Sequence, residues 1–246
     1  MSKYVIRPIP LEKSRGLTYK FTYLVGFGSP EERVAYTWYI EGSTENIIVD
    51  TGCESSGLVP QPIMFPFASK FEQIQSIQEG FGKVGLKPED VDIVILTHMH
   101  EDHVQLARKY PKAKFVVQKA ELEMARNPHP LQRWTYLEDP FNDINFEVIE
   151  GDKEIVNGVS VMLTPGHTPG GQSVIVETAK GKVVITGFCC IRRNFEPPPG
   201  LAMPVIPPGI LLDAVEAYNS VLKVKEIADI VIPIHDSEFL AVDRIP

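Results

Sequence analysis

The sequence predicts an α+β chain: two β-sheets packed face to face with helices on the outside, forming one domain over residues 1–246. Three observations predict it. Short apolar or alternating runs recur along the whole chain, helical spacing appears at three places between them, and neither an internal repeat nor a Gly/Ser linker divides the two halves.

The first third reads as β-structure. "LTYKFTYLVGF" (17–27) and "RVAYTWYIEG" (33–42) alternate and are rich in β-branched and aromatic residues, and "NIIVDTG" (46–52) is a short apolar strand ending at Asp50. "KFEQIQSIQEGFGKVG" (70–85) has helical spacing, with Phe71, Ile74 and Ile77 on one face and Gly80 and Gly82 ending it. "DIVILTH" (92–98) is a continuous apolar strand of the kind buried on both faces. A strand at "KFVVQ" (114–118) runs into a helix at "KAELEMARN" (119–127). Four strands follow, "FEVIE", "VSVMLT", "QSVIVET" and "KVVITG", and then a helix at "LLDAVEAYNSVLKVKEIA" (211–228) before the last strand, "DIVIPIH" (229–235). Two Pro-rich stretches, "VPQPIMFPF" (59–67) and "EPPPGLAMPVIPPG" (196–209), read as stiffened surface loops that either cover the core or wall a pocket.

Composition narrows the function classes. A net charge of -8 argues against a nucleic-acid or anionic-membrane partner. The chain has no run of 18 apolar residues, and its N-terminal stretch has no apolar signal-peptide core. Cys53, Cys189 and Cys190 cannot form a disulfide framework without a remainder, which predicts reduced thiols and a cytoplasmic setting. The expected partner is a small-molecule substrate, and the apolar segment "IMFPF" (63–67) suits a homodimer contact as readily as a pocket wall.

The most informative stretch is "LTHMHEDHV" (96–104), which supplies His98, His100, Asp102 and His103 directly after a predicted buried strand. Residues i and i+2 of an extended chain point the same way, so His98 and His100 can converge on one ion, with Asp102 and His103 facing a second close by. Imidazole and carboxylate together suit Zn²⁺, and also Fe or Mn. His167 in the turn "TPGHTPGG" and His235 in "IPIHDSE" also sit at turns or strand ends, whereas His129 in "NPHP" reads as a surface-loop residue.

"THMHEDH", "TPGHTPGG" and the late "IPIHD" together resemble the metallo-β-lactamase superfamily, and most closely its acyl-homoserine-lactone lactonase branch. The resemblance implies a four-layer αββα sandwich with a metal centre at one edge. It implies that His98, His100 and His167 hold one metal and that Asp102, His103 and His235 hold a second, giving two Zn²⁺, with Asp102 also acting on the attacking water. Asp50 of "VDTG" matches a position from which a carboxylate orients ligand imidazoles. The implied reaction is metal-dependent hydrolysis that opens a lactone or a related cyclic ester or amide through a metal-activated water.

One stretch departs from the family pattern. After "KVVITG" the family places an Asp that bridges two metals; here that residue is Phe188, in "GFCC" (187–190). Three readings stand: Cys189 replaces it as a thiolate ligand, the bridge is absent and one metal binds tightly, or both cysteines are core residues. The Tyr that follows the bridging Asp in the lactonase branch is missing too, since this region reads "CCIRR". Arg192 and Arg193 are candidates for a substrate carboxylate, and Trp134 and Tyr136 for the pocket wall. Two alternatives therefore stay open: a thioesterase resembling glyoxalase II, and a mononuclear-iron enzyme that oxidises thiols or persulfides.

Overall fold

The computed structural model describes residues 4–54, 71–139 and 141–246. The segment "IMFPF" lies outside the described residues. The first sheet contains β1 (Val5–Leu17), β2 (Pro30–Glu41), β3 (Ile47–Val49), β4 (Glu72–Gln73), β5 (Ile93–Ile95), β6 (Lys114–Gln118) and β7 (Phe146–Ile149), in the order β4-β1-β2-β3-β5-β6-β7. The second contains β8 (Lys153–Val156), β9 (Val159–Leu163), β10 (Gln172–Thr178), β11 (Gly181–Ile185) and β12 (Ile230–Ile232), in the order β12-β11-β10-β9-β8. The helices are α1 (Ile77–Lys83), α2 (Glu101–Val104), α3 (Lys119–Arg126) and α4 (Ala214–Ile227).

Side-chain alternation explains the four layers. Ile47, Val49, Ile95 and Val116 point into a central core with Val174, Val176, Val183 and Ile185 of the other sheet. Their neighbours Ile48, Val94, Phe115 and Val117 point outward, beneath Ile77 and Phe81 of α1 and Leu122 and Ala125 of α3. On the far side, Met162 and Val184 meet Val221 and Val224 of α4. Trp38 is fully buried in the central core, 4.6 Å from Tyr36 and 5.4 Å from Phe239 between ring centroids. This is the αββα sandwich. Among the described residues no helix is long and apolar enough to cross a membrane.

Two expectations need correction. "LTYKFTYLVGF" is not a strand: its residues Thr18–Lys20 form a 3-10 turn, and the first strand lies upstream at Val5–Leu17. The hairpin closes where Leu17 pairs with Pro30, so the alternating residues beyond Leu17 have no strand to pair with. The helix expected from residue 70 begins only at Ile77, where Ser76 and Glu79 form a reciprocal capping box. Upstream of that cap, Glu72 and Gln73 pair with β1 instead.

Strand direction positions the site. β3, β5 and β6 run parallel, so the loops after β3 and β5 leave the same sheet edge. β11 and β12 run parallel in the other sheet, and the loops after them leave its matching edge. The two edges are fastened together by Gln172, whose backbone N–H donates to the Thr97 carbonyl at 2.9 Å and whose amide donates to the Leu96 carbonyl at 2.8 Å.

Candidate metal centre

Five of the six histidines meet at this edge, and each is almost fully buried. They form two groups. His98, His100 and His167 make the first, and Asp102, His103 and His235 the second; within each, the candidate ligand atoms lie within 4.8 Å of one another. His129 is exposed in its loop, as its setting predicts.

Hydrogen bonds fix the tautomers. Thr97 Oγ1 donates to Asp50 Oδ2 at 2.7 Å, so toward His98 Nδ1, 3.1 Å away, it can only accept. His167 Nδ1 donates to the Ile210 carbonyl at 2.6 Å, and His235 Nδ1 to the Val34 carbonyl at 3.1 Å. His103 Nδ1 donates to Asp50 Oδ2 at 2.7 Å. In all four rings Nδ1 therefore carries a proton, and each ring in its neutral form presents an Nε2 lone pair inward.

The inward nitrogens lack ordinary partners. His100 Nε2 and His103 Nε2 are buried without a hydrogen bond. His98 Nε2 and His167 Nε2 lie 3.2 Å apart, and with both Nδ1 atoms protonated neither has a hydrogen to share. The contact is thus two lone pairs facing each other rather than a hydrogen bond. A cation between them removes the repulsion, and 3.2 Å is close to the edge of about 3.3 Å expected between two nitrogens on a tetrahedral zinc. The residues present fit a divalent metal.

The electrostatics agree. Burial, and then the neighbouring imidazoles, hold His98 and His100 well below the usual histidine range. Burial pushes His167 down to about 4 and His235 down to about 3. These rings are neutral at pH 7 and ready to bind a cation. His103 differs: burial opposes its protonation, but Asp102 and Asp50 outweigh burial and raise its pKa. Burial resists ionisation of Asp102 too, yet His103 and Arg33 hold its carboxyl well below the usual carboxylate range.

Asp50 serves both groups. One of its oxygens accepts from the Thr97 N–H at 2.7 Å; the other accepts from Thr97 Oγ1, which supports His98, and from His103. Its φ of 57° is left-handed backbone, uncommon for Asp, and is held by these bonds together with Thr37 Oγ1 donating to its carbonyl at 2.6 Å.

The turn that carries His167 is shaped by glycine. Gly166 has φ +113°, and a Cβ there would meet the backbone of Ala217 in α4 at 2.1 Å. Gly170 lies so close to α3 that a Cβ would come within 2.3 Å of the Glu121 nitrogen.

Several contributing residues are silent in the sequence. Glu121 is fully buried and accepts from the Met99 N–H at 2.9 Å, the Tyr136 hydroxyl at 3.0 Å and the Gly170 N–H at 3.2 Å, tying the His98–His100 loop to the His167 turn. Gln132 donates to the His167 carbonyl at 2.7 Å. Arg33 of β2 donates from Nη1 to Asp102 Oδ2 at 2.5 Å, from Nε to Ser14 Oγ at 2.9 Å, and from Nη2 to the fully buried Glu12 at 3.3 Å. Its nearest sequence signal is a charged residue at the start of a strand, which ordinarily marks a solvated end.

The two groups line a cleft with Lys20, Phe21, Arg33, Phe71, Trp134 and Ile210. Trp134 reaches the cleft, whereas Tyr136 supports it from behind, its ring centroid 4.8 Å from that of His100. Phe188 is turned away into the apolar cluster beneath α4, with Met162, Val184 and Phe195. Cys190 joins that cluster, in contact with Thr186 Oγ1 at 3.0 Å. Cys189 does line the cleft, but among the described residues it belongs to neither ligand group, and burial raises its thiol well above the usual range. Arg192 is engaged by Glu238, and neither it nor the exposed Arg193 lines the cleft. The Pro-rich 196–209 loop mainly covers core, burying Val205 and Ile206.

Comparison with known proteins agrees with this architecture. An N-acyl homoserine lactonase of Bacillus cereus is 31% identical over 173 residues, which cover 65% of this chain and 66% of that protein. One from Azorhizobium caulinodans is 28% identical over 161 residues, covering 59% and 57%. The chain thus spans just under two thirds of the curated relatives it matches. Among solved structures, a quorum-quenching N-acyl homoserine lactone hydrolase superposes with a TM-score of 0.78 at 26% identity, covering 97% of this chain and 94% of that one. A Bacillus thuringiensis lactonase variant holding N-decanoyl-L-homoserine at its active site gives 0.77 at 26% identity, covering 97% and 95%. The model of the metallo-β-lactamase superfamily matches residues 30–221, which include four of the five clustered histidines, and with its sandwich and its edge-bound ligand set the chain belongs to that superfamily.

Proposed function

We propose that this protein, read as one domain over residues 1–246, is a metal-dependent hydrolase that opens an N-acyl homoserine lactone or a related cyclic ester. The observation that carries the reading is the pair of Nε2 lone pairs facing each other at 3.2 Å between His98 and His167. Unless a cation lies there, nothing compensates their burial. The relatives named above supply the substrate class, and the cleft suits it. Phe21, Phe71, Trp134 and Ile210 offer apolar surface to an acyl chain while the imidazoles face its reactive end.

His98, His100 and His167 would hold the ion; three imidazoles suit zinc best, with Fe or Mn the alternatives. A divalent ion in such a site lowers the pKa of water toward 7 and polarises a carbonyl oxygen. The chain's own residues do the rest. Asp102 accepts a hydrogen bond from the attacking water and aims it at the carbonyl; its depressed pKa makes it an orienting group rather than a strong base. The apolar wall excludes bulk water from the reacting bond. Lys20, which lines the same cleft, would offer a positive charge to the carboxylate released when the ring opens. The three free, buried cysteines support a reducing, cytosolic setting.

The test is a substrate panel run on the zinc-loaded protein: acyl homoserine lactones, a β-lactam and a glutathione thioester. Lactone opening that stops on chelation is expected. Hydrolysis of the thioester alone would move the assignment to that class. Oxygen uptake with a persulfide by iron-loaded protein, without hydrolysis, would replace the reading with thiol oxidation.

A further inference from the structure

The two ligand groups differ in what else touches them. The first contains imidazoles only. In the second, one oxygen, Asp102 Oδ2, faces His103 Nε2 at 3.6 Å and His235 Nε2 at 3.5 Å, so it is the oxygen a second ion would share with those rings. The same oxygen already accepts from Arg33 Nη1 at 2.5 Å.

We propose that the Arg33 guanidinium is a resident cation of the second ligand group, so that the centre binds one divalent ion tightly at His98, His100 and His167 and a second only weakly. The inference rests on the metal-centre reading given above and goes beyond it by assigning the number of ions and the residue that sets it.

Three observations carry it. Arg33 is anchored by three groups: besides Asp102, its guanidinium engages Ser14 Oγ at 2.9 Å and Glu12 at 3.3 Å. Swinging away would strand Glu12, a fully buried carboxylate whose Oε1 already has no partner. The backbone is fixed as well, because Arg33 forms a bridge with Asp236 while Val34 N–H donates to the His235 carbonyl at 3.0 Å. Arginine and the second ligand group are thus held in one register.

The second observation is charge. The group contributes one carboxylate, and the guanidinium beside it cannot shed its proton near neutral pH. Glu12 is bound to the guanidinium through Nη2 and belongs to neither the ligand group nor the cleft wall. An incoming divalent ion would meet an already compensated oxygen and a fixed positive charge behind it.

The third is the loop after β11. It contributes no carboxylate to the cleft: Phe188 and Cys190 are in the core, and only Cys189 reaches the wall. Nothing there offsets the cation.

The test is metal titration of the chelator-stripped full-length protein with Zn²⁺, read by calorimetry and elemental analysis, and with Co²⁺, read by its visible spectrum. Wild type should take up one tight equivalent, with the second at least 100-fold weaker. Arg33→Met is made together with Glu12→Gln, so that Glu12 is not left as a fully buried charge without its guanidinium, and folding is verified by circular dichroism. That double variant should tighten the second equivalent at least tenfold. Arg33→Lys keeps the charge and should leave it weak. Two equivalents of similar affinity in wild type would overturn the inference, as would a second equivalent indifferent to removal of the guanidinium. No tight equivalent at all, or a tight one that survives His98→Ala, would overturn the metal-centre reading itself and the inference with it.

Discussion

Two loops leave the matching edges of the two sheets, and they have opposite fates. The loop after β5 turns His98, His100, Asp102 and His103 toward the cleft. The loop after β11 turns Phe188 and Cys190 away from it, into the core beneath α4. The difference shows how unequally the two sheets contribute to one site. The first is pinned by polar partners, Asp50 beneath and Glu121 alongside. The second is held by hydrophobic packing, and only Cys189 stays at the wall.

If that contrast is right, substitutions in the first loop cost chemistry and those in the second cost stability. The largest effect is expected from His98→Ala or His167→Ala. Each should lower lactone opening by roughly 10³-fold or more and remove the tight metal equivalent, as an activity assay paired with elemental analysis would show. Phe188→Ala should destabilise the fold by about 3–5 kcal/mol in denaturant melts while leaving metal content unchanged; loss of metal without loss of stability would break the contrast. Asp50→Asn keeps the shape and loses the charge that fixes His103, and should weaken metal binding by roughly 10–100-fold in a chelator competition.

The pH dependence tests the cleft rather than the ligands. Burial, with Arg33 adding to it, lowers Lys20 to about 8. Lysine is charged below its pKa, so its attraction for the carboxylate product is present below about pH 8 and fades above it. Product inhibition should weaken across that range in wild type and be flat in Lys20→Met. The smallest effect is expected from Cys189→Ser, which should alter KM a few-fold and leave the metal stoichiometry intact; an equivalent lost would make Cys189 a ligand.

The sequence exposed most of this for physical reasons that also explain what it hid. Alternation and apolar runs marked β2, β5, β6 and β10 because those strands bury one or both faces. β1 went unread because Pro8 and Pro10 argue against a strand; they are tolerated because β4 pairs with β1 only at Glu12 and Lys13, which leaves that stretch on an edge. The ligands were legible because four of them crowd into six residues. Arg33, Glu12 and Glu121 were not, because a lone charge in a strand or helix looks solvated until tertiary packing closes over it. "GFCC" was legible as a departure from the family pattern, but the direction in which Phe188 points needed the fold.

Metal dependence is best measured as lactone opening by the chelator-stripped protein, followed as Zn²⁺ is returned in sub-stoichiometric steps with bound metal counted in the same samples. No activity is expected without metal, with recovery in proportion to ion bound. Ring opening at an undiminished rate in metal-free protein would contradict that dependence.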